Sequence, residues 1–287
     1  MDAKEEKEMR EMEMKRHELY SWSAKDIVAF LLCTVVIAGI SFSMMLMHPT
    51  LQSPEGFPGL LVWLLAVWSP SIAAGLVATR RGKLTFLLRK SLSSPLNVPA
   101  LILGIMPLIG LVAMLPIKEA SWPEFLGIGQ LALLFFIHLI MGPLGEELGW
   151  RGFLYPALRS RIGWMGAALG VGAIWALWHG PLWLIDSPQS EIPFPLFLGN
   201  VVIFSVLMAI LVERTGPSLL GPVLLHLSIN VSGALYSLLG MGTPQTYWTY
   251  SLMFLGALAL FGAAVQNSGT GVGCVPPGSA EQAPGEY

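Results

Sequence analysis

The sequence predicts an all-α fold, a polytopic transmembrane helix bundle of about eight spanning helices. Three observations predict it. First, hydrophobic residues make up 54% of the chain and charged residues 12%, with a mean hydropathy of +0.65; ordinary soluble domains carry about twice that charge. Second, the apolar residues fall into successive runs close to the ~20 residues that cross a hydrocarbon layer. Third, Lys and Arg collect on alternate connecting segments.

Taken in order, residues 1–25 form a charged, solvated helix or tail ahead of the membrane. Up to Asp26 it holds 6 Lys/Arg and 8 Asp/Glu in alternating signs, as salt-bridged surface helices do. It is too charged to read as a cleavable signal peptide. The membrane domain spans 26–265. Its apolar runs lie near 26–47, 59–79, 97–115, 126–145, 165–184, 194–213, 217–239 and 246–265. The fourth run continues helically to about Leu158. Backbone inside lipid must satisfy its own hydrogen bonds, so these runs are helices; a barrel would alternate in polarity. Residues 266–287, rich in Gly, Pro, Ser and Gln, read as a disordered tail. Cys33 and Cys274 are the two cysteines and give no disulfide framework.

With the N-terminus in the cytoplasm, the inner segments hold the six basic residues of the tail, then Arg80, Arg81, Lys83, Arg89, Lys90, Arg159, Arg161 and Arg214. The outer segments hold Lys118 alone. That asymmetry predicts an integral, multi-pass protein with both termini cytoplasmic. The expected partner is the lipid bilayer. No basic stripe suggests nucleic acid.

Ionisable groups inside spanning helices are costly and need a reason. Three stretches carry them: Glu146, Glu147 and Arg151; His179; and His226 with Asn230. A turn near Ile162-Gly163 would make Glu146 and His179 each about 16 residues distant from it. At ~1.5 Å per residue both sit ~24 Å along their helices, at matching depth. His226 and Asn230, four apart, share a helical face. They lie roughly 15–21 Å beyond the turn at Thr215-Gly216. The four groups are therefore placed to meet in one cavity. Glu147 and Arg151 are also four apart, in the favourable order for an ion pair. Glu146 points about 100° away from Glu147. Glu146 is therefore taken as the reactive carboxylate and Glu147 as the structural partner of Arg151, with the reverse assignment left open. The plain alternative for His226 and Asn230 is interhelical hydrogen bonding. The same applies more strongly to His138, which has no matched partner. Trp150, Trp164, Trp175, Trp178 and Trp183 read as interfacial or core packing, with Trp175 one turn from His179.

The ordered set Glu-Glu-x-x-x-Arg, aromatic-x-x-x-His and His-x-x-x-Asn, each on a separate membrane helix, resembles the CAAX-processing and bacteriocin-immunity (CPBP) family. Its members include the type II CAAX prenyl endopeptidases, also called Ras-converting enzymes, and the bacterial Abi proteins. The first motif is matched by Glu146, Glu147 and Arg151. The second is matched at His179, with Trp175 where the family has Phe. The third is matched by His226 and Asn230. The resemblance covers roughly residues 100–240. It implies an intramembrane endopeptidase that cuts near the C-terminus of prenylated or other membrane-associated proteins. Glu146 and His179 would activate a water, and His226 and Asn230 would stabilise the oxyanion. It implies no cofactor in one mechanism; in the other, Glu146, His179 and His226 would hold Zn²⁺ with an open fourth position. The His-Glu-x-x-His signature is absent, which favours the metal-free form. Two other function classes remain, a proton-coupled transporter and a non-catalytic immunity or binding protein.

Overall fold

The computed structural model describes residues 22–92, 98–118 and 120–269, without the side chains of Pro99 and residues 266–269. The expected charged N-terminal helix up to residue 21, and the expected disordered tail from residue 270 with Cys274, lie outside the described residues. Among the described residues there are helices and no strands. In chain order they are α1 (Ala24–Met47), α2 (Phe57–Arg80), α3 (Leu84–Leu92), α4 (Val98–Met114), α5 (Ile128–Ile140), α6 (Pro143–Glu147), a π-helical segment (Leu148–Leu154), α7 (Tyr155–Trp178), α8 (Phe194–Thr215), α9 (Leu220–Leu238) and α10 (Pro244–Gly269). The fold is an all-α membrane helix bundle, and each of the eight apolar runs corresponds to a helical stretch.

Among the described residues five stretches are long and apolar enough to cross a membrane: Ala24–Met47, Phe57–Arg80, Ile128–Leu184 taken together, Phe194–Thr215 and Pro244–Val265. Ala100–Met114 is apolar but shorter. Helix α9 carries His226, Ser228, Asn230 and Ser232, which lower its hydropathy. These polar groups face inward, as shown by the burial of His226, Ser228 and Ser232. On α1, by contrast, Val28, Leu32, Val35, Val36 and Ile40 are all more than half exposed. A stripe of that extent would be unstable against water and is at home against acyl chains.

Two differences from the expected spans shape the site. The fourth run is interrupted: α5 ends at Ile140, and α6 restarts with Pro143 at its first position. Proline cannot donate a backbone N–H, so it begins a helix more readily than it continues one. The fifth run leaves the α-helix at Trp178, and Gly180–Leu184 forms a 3-10 turn. Pro181 accounts for this stop, and it leaves His179 at the helix cap.

The chain reverses at two glycines, one within α7 and one between α8 and α9. Gly163, at φ 72°, breaks α7 in the left-handed region, and Gly216, at φ 86°, caps α8. An L-residue with a Cβ avoids both conformations. Near the Gly163 end, Arg159 forks onto Glu213 with Nε–Oε1 2.5 Å and Nη2–Oε2 2.7 Å, and the Tyr155 hydroxyl donates to Glu213 at 2.9 Å. This clamp fixes α7 to α8 in register. Further along, Ser205 Oγ donates to the Ala168 carbonyl at 2.7 Å. Small residues permit that approach. At the start of α1, Ser23 and Asp26 form a capping box, and Arg81 Nε meets Asp26 Oδ1 at 2.7 Å. This pair ties the beginning of α1 to the end of α2.

The π-helical segment is pressed onto α2. A Cβ at Gly149 would lie 2.5 Å from the carbonyl carbon of Pro70, and one at Gly145 would lie 3.0 Å from the carbonyl oxygen of Val67. Backbone cannot yield as a side chain can. Gly149→Ala is therefore expected to lose about 1–3 kcal/mol of stability, as overpacked sites do. Detergent-denaturation midpoints of the two proteins would check it, and an unchanged midpoint would contradict the packing.

Candidate active site

The polar residues singled out from the sequence converge where the interrupted α5–α6 arm meets the end of α7 and the middle of α9. Glu146 and Glu147 sit between the break at Met141-Gly142 and the π-helical segment. Both are withdrawn from the surface, at 3% and 0% exposure, and Arg151 is likewise buried. π-Helical turns recur at functional sites because they re-aim side chains within a helix. Here Glu146 and Glu147 reach different partners.

Glu146 Oε2 accepts a hydrogen bond from the indole Nε1 of Trp175 at 2.5 Å. The carbonyl of the same Trp175 accepts from Nδ1 of His179 at 2.8 Å. One residue thus links the carboxylate to the imidazole. Since a carbonyl can only accept, Nδ1 of His179 carries the hydrogen and Nε2 is left for another partner. The His179 ring is lodged among Trp178, with centroids 4.6 Å apart, Phe197 at 5.1 Å and Trp175 at 5.9 Å.

Glu147 Oε1 takes two partners, Arg151 Nη1 at 3.0 Å and His226 Nδ1 at 2.8 Å. The i,i+4 ion pair read from the sequence is present. The sequence groups His226 with Glu146, whereas the structure bonds it to Glu147. Rotation of α9 about its axis decides this, and spacing within one helix carries no information on it. The Arg151 guanidinium also lies 4.3 Å from the Trp175 ring centroid, and the His226 ring meets Trp175 edge-on at 5.1 Å. These ring contacts join the Glu146–His179 half to the Glu147–Arg151–His226 half.

Asn230 lies one turn beyond His226. A Cβ on Gly142 would fall 2.8 Å from Asn230 Nδ2 and 3.7 Å from His226 Nε2. The bare backbone at the helix break therefore gives both polar groups their room. Gly142 and Phe197 are neighbours of the site that the sequence reading missed. A single glycine before a proline and a phenylalanine within an apolar run carry no sequence signal for a site. His138 bonds within its own helix, Nδ1 to the Leu134 carbonyl at 2.8 Å. Trp150 and Trp175 are core residues rather than an interfacial belt, at 0% and 3% exposure.

For a metal, the candidate ligands are Glu146, His179 and His226. Among the described residues no three His, Cys, Asp or Glu side chains are grouped to hold an ion. Both histidine Nδ1 atoms are engaged with the Trp175 carbonyl and with Glu147.

The architecture and this cluster define a class: a polytopic membrane helix bundle with a buried site of carboxylate, imidazole and amide groups. Comparison with known proteins shows what part of the chain is similar to. Residues 128–232, from the start of α5 into α9, match the family described as type II CAAX prenyl endopeptidase Rce1-like. That stretch contains every motif residue described above. A further similarity is to the CAAX prenyl protease 2 of Methanococcus maripaludis, 42% identical over 55 residues, covering 19% of this chain and 20% of that protein. The similarity therefore spans about a fifth of the curated relative's length.

Proposed function

We propose that this protein is an intramembrane endopeptidase of the CAAX prenyl type, with both termini in the cytoplasm. It hydrolyses a peptide bond near the C-terminus of a prenylated or otherwise membrane-associated substrate. The observation that carries this reading is the Glu146–Trp175–His179 linkage. It sets a buried carboxylate and an imidazole on one rigid residue.

In the proposed reaction a water is held between Glu146 Oε1 and His179 Nε2. Glu146 takes its proton as the oxygen attacks the scissile carbonyl carbon. The carbonyl π electrons move onto oxygen, and the resulting oxyanion is met by Asn230 Nδ2 and His226 Nε2. Donors aimed at developing charge in a water-poor site are effective stabilisers. With Nδ1 donated to Glu147, His226 carries a hydrogen on Nε2 only as the imidazolium. Glu147 is the counter-ion that such a form requires. Collapse of the tetrahedral intermediate breaks the C–N bond, and Glu146 returns its proton to the leaving amine. Glu147 and Arg151 take no proton and hold the frame.

The mechanism is proposed without a metal. The test is a cleavage panel of prenylated and unprenylated C-terminal peptides with the purified protein in nanodiscs. Turnover is expected to survive a chelator unchanged. Loss with chelator and recovery with added zinc would replace the metal-free mechanism. Failure to cut any peptide would end the peptidase reading.

A further inference from the structure

Trp175 stands where the resembled family has Phe, and the difference between the two rings is an N–H donor. That donor is used: Nε1 lies 2.5 Å from Glu146 Oε2. Its position is over-determined. The ring is covered by the Arg151 guanidinium at 4.3 Å and abutted by the His226 ring at 5.1 Å, while its carbonyl accepts from His179 at 2.8 Å. The residue is 3% exposed. A buried indole N–H fixed in this way donates in one direction only.

We infer that the Trp175 indole N–H is a positioning device for the general base. It pins Glu146 Oε2, stops rotation of the carboxylate about its terminal bond, and so presents Oε1 toward the water beside His179. A Phe ring at this position fills much of the same space but leaves the carboxylate free to turn. The chain thus adds a restraint through its second motif. Preorganisation of this kind acts on the chemical step more than on substrate capture. The inference rests on the peptidase reading and extends it to a residue acting through Glu146.

The test compares kcat and KM of wild type, Trp175→Phe and a variant carrying benzothienylalanine at position 175. The last keeps the bicyclic shape and replaces the N–H with sulfur. Loss of one hydrogen bond to a charged group corresponds to roughly 10- to 100-fold in rate. Both substitutions are expected to lower kcat by that factor with KM unchanged. If Trp175→Phe fails to fold because of the volume it removes, the benzothienyl variant still decides. A benzothienyl variant with wild-type kcat, or with its loss confined to KM, overturns the assignment and leaves the peptidase reading intact. A wild type that cuts no peptide overturns the peptidase reading itself, and this inference with it.

Discussion

Glu146→Gln is expected to lower peptide cleavage by about 10²- to 10⁴-fold, the usual contribution of a positioned general base, while leaving the protein folded and inserted. The two outcomes separate because of what glutamine keeps. Its amide oxygen can still accept from Trp175 Nε1, so the 2.5 Å contact has a replacement partner. Its volume matches, so no cavity opens at this buried position. Only basicity is lost. His179→Ala should produce a loss of similar order by removing the second group on the water. Initial rates in proteoliposomes, beside an unfolding midpoint for each variant, measure both effects. A Glu146→Gln protein that cuts at the wild-type rate would remove Glu146 from the mechanism. The same variant tests the competing classes. A binding or immunity protein would be indifferent to it, and a proton-coupled transporter would show substrate flux in the same vesicles.

The physical character of each feature decided whether the sequence revealed it. Apolar runs and basic asymmetry respond to the bilayer, a solvent common to every helix, so the bundle was visible without knowing any contact. The Glu147–Arg151 pair was visible because it lies within one helix, where spacing determines proximity. The matching depth of Glu146 and His179 followed from one turn, and Gly163 supplies that turn. What could not be read depends on how one helix is rotated against another. His226 meeting Glu147 instead of Glu146 is set by such rotation. The π-helical segment Leu148–Leu154 is another case: Gly149 packs directly against the Pro70 backbone there, a contact between helices that no local spacing announces. The indole N–H of Trp175 escaped for a related reason. An aromatic at helical spacing from a histidine reads as packing until its donor is seen to have a partner.

Glu147→Ala is expected to be the most destabilising single change at the site, by about 3–5 kcal/mol. Glu147 is 0% exposed, and its Oε1 compensates both Arg151 Nη1 and His226 Nδ1. Arg151 is buried too, so removing the carboxylate takes its hydrogen-bonded counter-ion from a guanidinium in a low-dielectric interior. Such a charge costs far more than the pair contributed while intact. Among the described residues Arg151 Nη2 and Glu147 Oε2 have no hydrogen-bond partner, so this cluster has little polar capacity left to absorb a further loss. Glu147→Gln should fall between the two, since the amide oxygen can accept from Arg151 but neutralises nothing. Pairing Glu147→Ala with Arg151→Met should recover part of the stability by removing the stranded charge. Unfolding in mixed micelles reads the order as wild type, then Glu147→Gln, then Glu147→Ala. Glu146→Gln stays near wild type in the same assay while losing turnover. Equal stability losses for Glu146→Gln and Glu147→Ala would mean that the two carboxylates do not divide the work between reaction and scaffold.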